Sequence, residues 1–278
     1  MIIMKVIEQF LKSKTPIESD CEDSIFVSEH FAAVIDGVTT KSTAKSANET
    51  SGRVCSQLLN KALNDLPLKS TANRAVEFLT SAVFSMYKET GIEEHMLNFP
   101  TERASACIAI YSKFRNELWM VGDCQCRVDE TVYSNLKPID SVLSDIRSLF
   151  IQTELKLGKQ VNELLANDCG REFILPLLIR QSVFQNTIKK NEFRYGVIDG
   201  FKVPKSEIKV INLFHPKKVI LATDGYPRLF DTLTQSENYL TKILKNDPLC
   251  FHIFKSTKGL KPGNSSFDDR AFLSIEIE

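Results

Sequence analysis

The sequence predicts an α+β fold in which antiparallel sheets are covered by blocks of helices. Three observations support that reading. Short segments rich in Val, Ile, Phe and Tyr follow one another directly and are joined by tight polar turns, as antiparallel strands are. Segments with apolar residues every three to four positions come in blocks, where a parallel βαβ fold would place one between successive strands. The composition is that of an ordinary globular chain, 278 residues with 43% hydrophobic and 25% charged.

The elements follow in order. The opening Met-Ile-Ile-Met-Lys-Val-Ile-Glu is apolar but interrupted by Lys5 and Glu8, and reads as an edge strand or a short helix. Residues 24–28 and 31–35 form a strand pair around the polar turn Ser28-Glu29-His30. Residues 42–66 read as a helix with Val54, Leu58, Leu59, Ala62, Leu63 and Leu66 on one face, and 72–87 as a second through Val76, Leu79, Val83 and Met86. Strands return at 104–111, 117–121 and 127–133, the first two joined by Lys113-Phe114-Arg115-Asn116. A long helical region spans about 138–190, then strands at 194–198, 208–213 and 218–223, a helix at 231–245 and a last strand at 271–277. No repeat and no linker divides the chain, so residues 1–278 read as a single domain.

Several classes are excluded or disfavoured. Lysine plus arginine and aspartate plus glutamate each total 35, so there is no basic excess to coat nucleic acid or an anionic membrane. Apolar runs such as Ile174–Ile179 fall far short of the ~20 residues that span a bilayer. The seven cysteines are odd in number, scattered and without a CxxC pair, which reads as buried thiols in a reducing, cytoplasmic compartment. Cys124-Gln-Cys126 reads as alternate packing at a strand start, and Trp119 as core. None of the cysteines has an arginine six positions on, and there is no Walker loop, HExxH or GxSxG. The four histidines stand apart from one another and from the cysteines.

The informative pattern is the position of the carboxylates. Asp36-Gly37, Gly122-Asp123 and Asp224-Gly225 each end an apolar strand, Glu22-Asp23 opens one, and Asp268-Asp269 precedes the last. Any one Asp-Gly pair is a common turn, and Asp199-Gly200 reads as that. Asp36-Gly37 and Asp224-Gly225 fit the turn reading less well, because a helix approach follows each. If the strands are neighbours, four or five carboxylates converge. Their mutual repulsion makes sense when a cation is part of the site, and an all-oxygen donor set points to magnesium, manganese or calcium.

In order, Glu22-Asp23, Ala-Val-Ile-Asp36-Gly37, Arg103-Ala104-Ser105-Ala106, Met-Val-Gly122-Asp123, Ile-Leu-Ala-Thr-Asp224-Gly225 and Ser266-Phe267-Asp268-Asp269 resemble the metal-dependent type 2C protein phosphatases over about residues 15–278. The resemblance implies a four-layer α-β-β-α sandwich with two Mn2+ or Mg2+ ions at one end of the sheets. It implies that Asp36 bridges the ions and the Gly37 carbonyl binds one. Asp224 and Asp268 then hold the first ion, and Glu22 holds the second through water. Asp123, with Asp23 nearby, would match a weaker third site. Asp36, Asp224 and Asp268 thereby become the catalytic set, holding the water that attacks phosphorus. Residues 138–193 fall where that family carries its variable and flap segments.

Departures bear on the substrate. Glu18 stands where eukaryotic members carry a phosphate-gripping arginine, and Val38 where they carry a histidine that protonates the leaving alcohol. Asp269 replaces an asparagine, and Ala271 stands where bacterial relatives often have threonine. Lys12, Lys14, Lys41, Lys45 and Arg103 are the positive groups that can flank the cleft, with Lys41 and Arg103 the candidate substrate-binding residues; Lys255 to Lys261 reads as a solvated loop. The expected function is hydrolysis of phosphoserine and phosphothreonine on proteins, a signalling activity, with a phosphoprotein as substrate and neither nucleic acid nor membrane as partner. The chain is expected to be a monomer. A pseudophosphatase that binds a partner without turnover, or a hydrolase of a small phosphorylated metabolite, is the alternative.

Overall fold

The computed structural model describes residues 3–38 and 50–278. Ten strands form two five-stranded sheets. Strands β1 (Met4–Lys12), β6 (Gln125–Val128), β7 (Thr131–Ser134), β9 (Lys218–Ala222) and β10 (Arg270–Ile277) make one, in the order β1-β10-β9-β6-β7. Strands β2 (Ser24–Val27), β3 (Phe31–Gly37), β4 (Ala106–Ser112), β5 (Glu117–Val121) and β8 (Lys209–Asn212) make the other, in sequence order. Every pair of strands is antiparallel. The opening segment is therefore the edge strand, not the helix.

Alternation sorts the strand faces. Ala32 and Val34 of β3 enter the layer between the sheets, where they meet Val219 and Leu221 of β9 and Ala271 and Leu273 of β10. Cys124 and Cys126 belong to the same layer and are fully buried. Phe31, Ala33 and Ile35 point the other way, against helices α1 (Ser51–Ala62) and α2 (Ala72–Glu89) and beside Trp119. Thr50 and Thr71 cap these helices by accepting the backbone N–H three residues on. Helix α1 gives way to a tighter turn at 63–65, and the earlier part of its predicted span, 42–49, lies outside the described residues. A short helix, α3 (Glu93–Asn98), follows α2.

The region 138–190 is three helices, α4 (Pro138–Lys156), α5 (Val161–Ala166) and α6 (Cys169–Arg180), broken at Gly158 with φ +103° and again at the α6 cap Asp168. Residues 194–198 do not form the expected strand; they pair only at Tyr195 with Gln185 and at Ile198 with Ala106. Gly200, at φ +87°, turns the chain away directly afterwards. On the outer face of the first sheet, Phe272 and Ile220 pack with Tyr226 and Leu229. Helix α7 (Leu233–Asn246) is pinned there by Glu237, which takes Arg270 at 2.6 Å and the Tyr226 hydroxyl at 2.8 Å. The layers are thus helix, sheet, sheet, helix.

Candidate metal centre

The antiparallel pairing brings the chain's acidic strand ends to one end of the sandwich. Asp36 has the parity of Ala32 and Val34, so it leaves β3 toward the gap between the sheets. Asp224 and Asp268 lie just beyond β9 and just before β10, which are neighbours. Ligand oxygens of Asp36, Asp123 and Asp224 lie within 4.8 Å of one another. Two glycines permit this closeness. A Cβ on Gly37 would meet the Glu22 carbonyl at 2.4 Å and the Gly52 carbonyl at 2.5 Å; on Gly225 it would meet the Asp269 carbonyl at 2.0 Å. Neither glycine has positive φ, so neither pair is the hairpin turn that Asp-Gly ordinarily marks. They are contacts of backbone on backbone that fasten the acidic ends together.

The carboxylates divide into two electrostatic groups. Burial first, then Asp224 and Asp23, push the Asp36 carboxyl well above the ordinary range. Burial, then Asp268 and Asp123, raise Asp224 to about 7. Asp23 is raised by burial and then by Asp269, and it accepts the Thr223 hydroxyl at 2.7 Å. No hydrogen bond or ion pair from a described residue reaches the carboxylates of Asp36 or Asp224. The other group has lysines. Burial works against ionising Asp268, but Lys258 and Lys14 hold it at about 2. Asp123 is likewise opposed by burial and lowered by Lys137, 2.8 Å away.

Lys14 Nζ lies 3.4 Å from Glu22, 3.3 Å from Asp268 and 3.2 Å from Asp269. Asp269 also accepts the backbone N–H groups of Lys14 at 2.7 Å and Glu22 at 3.1 Å, tying the end of β1 to the start of β10. Among the described residues, seven carboxylates (Glu22, Asp23, Asp36, Asp123, Asp224, Asp268, Asp269) outnumber the ammonium groups of Lys14, Lys137 and Lys258. The Asp123 Oδ1 atom is buried with no hydrogen-bond partner among the described residues. An oxygen-only donor set, an orphaned carboxylate oxygen and carboxylates on Asp36 and Asp224 without a hydrogen bond or ion pair from the described residues together fit a hard divalent cation.

The structure therefore brings Asp36, Asp123 and Asp224 together, and joins Glu22 to Asp268 through Lys14. Asp23 is bound to Thr223 rather than grouped with Asp123. Arg103 is held elsewhere: its guanidinium donates to Asp199 at 3.0 Å and to the Met96 and Leu97 carbonyls, and it stacks 3.9 Å from the Phe201 ring. All three guanidinium nitrogens are engaged by α3 and Asp199, and Arg103 does not line the cleft. Asp199, read as a turn residue, is the fully buried partner in that pair. Lys41 lies outside the described residues. Val38 lines the cleft, whereas Glu18 is exposed and does not.

Three site lysines and Asp269 escaped the sequence reading as functional residues. In the sequence Lys14 is one among several positive groups, Lys137 belongs to no motif, and Lys258 lies in what reads as a solvated loop. The strand register that sets Lys12 opposite Arg270, and so places Lys14 beside Asp268-Asp269, is a long-range fact with no local signal.

No protein-family model matches the chain, and no curated protein matches its sequence. Its architecture does have solved counterparts. The chain is similar to the catalytic domain of the serine/threonine protein phosphatase PstP in complex with 2 manganese ions, at 14% identity and a TM-score of 0.51, over 100% of this chain and 99% of that one. It is similar also to the serine/threonine phosphatase Stp1 from Staphylococcus aureus, at 12% identity and a TM-score of 0.50, over 100% of this chain and 96% of that one. The chain thus has the fold of the type 2C serine/threonine phosphatases, the architecture that its order of acidic motifs implied.

Proposed function

We propose that the chain is a Mn2+- or Mg2+-dependent phosphatase acting on phosphoserine and phosphothreonine in proteins. The observation that carries this is the convergence of Asp36, Asp123 and Asp224 within 4.8 Å, with no hydrogen bond or ion pair from the described residues on Asp36 or Asp224. Asp36, Asp224 and Asp268 would hold one cation. Asp36, the Gly37 carbonyl and Glu22 would hold a second, and Asp123 a third, weaker one. Bound there, hard cations neutralise phosphoryl oxygens and supply a water of lowered pKa. The chain's own part is to hold these carboxylates close against their repulsion: Lys258 and Lys14 favour the ionised form of Asp268, Lys137 that of Asp123, and the Asp269 hydrogen bonds fix the strand ends. A pure binding module has no need of so much uncompensated buried charge.

The cleft beside the cluster has a volume of 1570 Å3, room for a peptide segment as well as a phosphate. No described helix is long and apolar enough to cross a membrane. The seven cysteines are all unpaired, which supports a reducing, cytoplasmic setting and a signalling role there. We read the working unit as a monomer. The test is phosphate release from a phosphothreonine peptide and from an aryl phosphate across a manganese titration, with a chelator control. Metal-dependent release from both supports the reading. Release from the aryl ester alone identifies a phosphatase that lacks an acid for poor leaving groups, as Val38 implies. No release from a folded, metal-binding chain overturns it in favour of a binding module.

A further inference from the structure

The three lysines of the centre are not equivalent. Lys14 is enclosed by three carboxylates with 21% of its side chain exposed, Lys137 sits on Asp123 with 11% exposed, and Lys258 is the most open at 31%. Lys258 contacts Asp268, whose carboxylate already takes Lys14 at 3.3 Å and the Asp269 N–H at 3.0 Å. Those two donors share Oδ1 of Asp268 and Lys258 takes Oδ2, so the most open ammonium group of the centre is held on one carboxylate oxygen beside Asp224, which has no hydrogen bond from the described residues.

The backbone carrying Lys258 is clamped by the helices over the cleft. Arg147 of α4, fully buried, donates to the Ser256 carbonyl at 2.9 Å, to the Leu249 carbonyl at 2.8 Å and to Asp168 at 2.6 Å. Arg171 of α6 donates to the Thr257 carbonyl at 2.7 Å. The two carbonyls before Lys258 thus each receive a guanidinium. After it, a Cβ on Gly259 would meet the Leu249 carbonyl at 2.7 Å, so the chain is closely packed on that side too. The ammonium group remains in the cleft wall with Asp36, Asp224 and Asp268.

We propose that Lys258 binds a phosphoryl oxygen of the substrate and that Arg147 and Arg171 position it, an inference that rests on the phosphatase reading above. When Asp268 gives its charge to a divalent cation, the Lys258 ammonium is left beside positive charge, and a phosphate balances both. A lysine does this as a point charge where no bidentate arginine reaches, and Glu18 leaves that other role unfilled. The chemistry selects a dianionic phosphate monoester.

The test uses the full chain and inorganic phosphate as the probe. Manganese binding and then phosphate binding to the manganese-loaded chain are measured by calorimetry for the wild type, Lys258→Ala, Lys258→Arg and Arg171→Met. Lys258→Ala is expected to weaken phosphate binding at least about tenfold while manganese binds as tightly as before or tighter, since an ammonium has left Asp268. Lys258→Arg is expected to restore phosphate binding to within about threefold. Arg171→Met is expected to raise KM for an aryl phosphate more than it lowers kcat, with manganese affinity unchanged. Unchanged phosphate affinity in Lys258→Ala overturns the proposal. A parallel loss of manganese and phosphate also overturns it, because Lys258 would then build the metal centre rather than grip the substrate. Wild-type turnover is read separately: if it is absent while phosphate binding still depends on Lys258, the phosphatase reading falls and the phosphate site stands.

Discussion

Asp224 concentrates the chemistry of the centre in one charge. Its carboxyl is raised to about 7 by burial and by Asp268 and Asp123, and no described group hydrogen-bonds it. Asp224→Asn keeps the shape and removes that charge. Manganese-dependent phosphate release is expected to fall by at least about 100-fold, while the melting temperature in chelator stays level or rises, because a like-charge repulsion has gone. Retained activity would show that the cation is held elsewhere. Gly225 carries a different burden. Its added Cβ would lie 2.0 Å from the Asp269 carbonyl, so Gly225→Ala must spread β9 from β10 where the acidic ends meet. A loss of about 1–3 kcal/mol is expected in urea denaturation, together with weaker manganese binding in calorimetry. Destabilisation with manganese affinity intact would mean that the contact serves the fold alone.

Among the elements, α4 and the segment 249–259 are joined most heavily through one fully buried side chain, with Ser148 adding a bond to the Phe251 carbonyl at 2.6 Å. Arg147 has no exposed surface and bonds Asp168 together with the Leu249, Cys250 and Ser256 carbonyls. Arg147→Ala leaves all four acceptors short of a donor. It is expected to destabilise the chain by about 3–5 kcal/mol in urea denaturation with the m-value preserved, whereas the exposed Lys255→Ala changes stability by less than about 1 kcal/mol. Much of the element plan was legible in the sequence, because amphipathic spacing and strand alternation are local: α2 and α7 fall within two residues of the spans read from periodicity. The breaks that make three helices of 138–190 were less legible. Asp168 works both as the α6 cap and as the partner of Arg147, and the second role joins residues 21 apart in the chain, beyond any local helix signal. The strand read at 194–198 failed for a related reason, since an apolar run becomes a strand only if a neighbour offers an edge, and Ile198 meets β4 at one residue. At the site, the acidic residues were legible because each sits at the end of a recognisable strand. The lysines were not, because a lysine in a loop looks the same whether it faces water or a carboxylate cluster.

Over the whole molecule, the centre joins the two sheets. Asp36 and Asp123 come from the ends of β3 and β5 in one sheet, and Asp224 and Asp268 adjoin β9 and β10 in the other. A cation held between them links the sheets at the end where their charges repel, so stability should depend on metal and pH together. Without metal the sign follows from the raised groups. Between the ordinary carboxylate value near 4 and about 7, an unfolded Asp224 has lost a proton that the folded one keeps. The unfolded state then binds fewer protons, and stability falls as pH rises through that window; Asp36 and Asp23 act in the same direction. Asp268, held at about 2, acts oppositely, and its contribution is lost only as pH falls from about 4 toward 2. Metal binding requires the ionised carboxylates, so its affinity rises over the range in which the metal-free chain weakens. Saturation at a hundredfold excess over Kd adds about 2.7 kcal/mol, which for a chain of this size is a rise of roughly 5–10 °C in Tm. Melting curves from pH 5 to pH 8 are therefore expected to decline in chelator and to stay level or climb in excess manganese, with the gap widening as pH rises. A gap of constant width would mean that these carboxylates are already ionised before the cation arrives, and that the lysines alone balance the charge at the junction of the sheets.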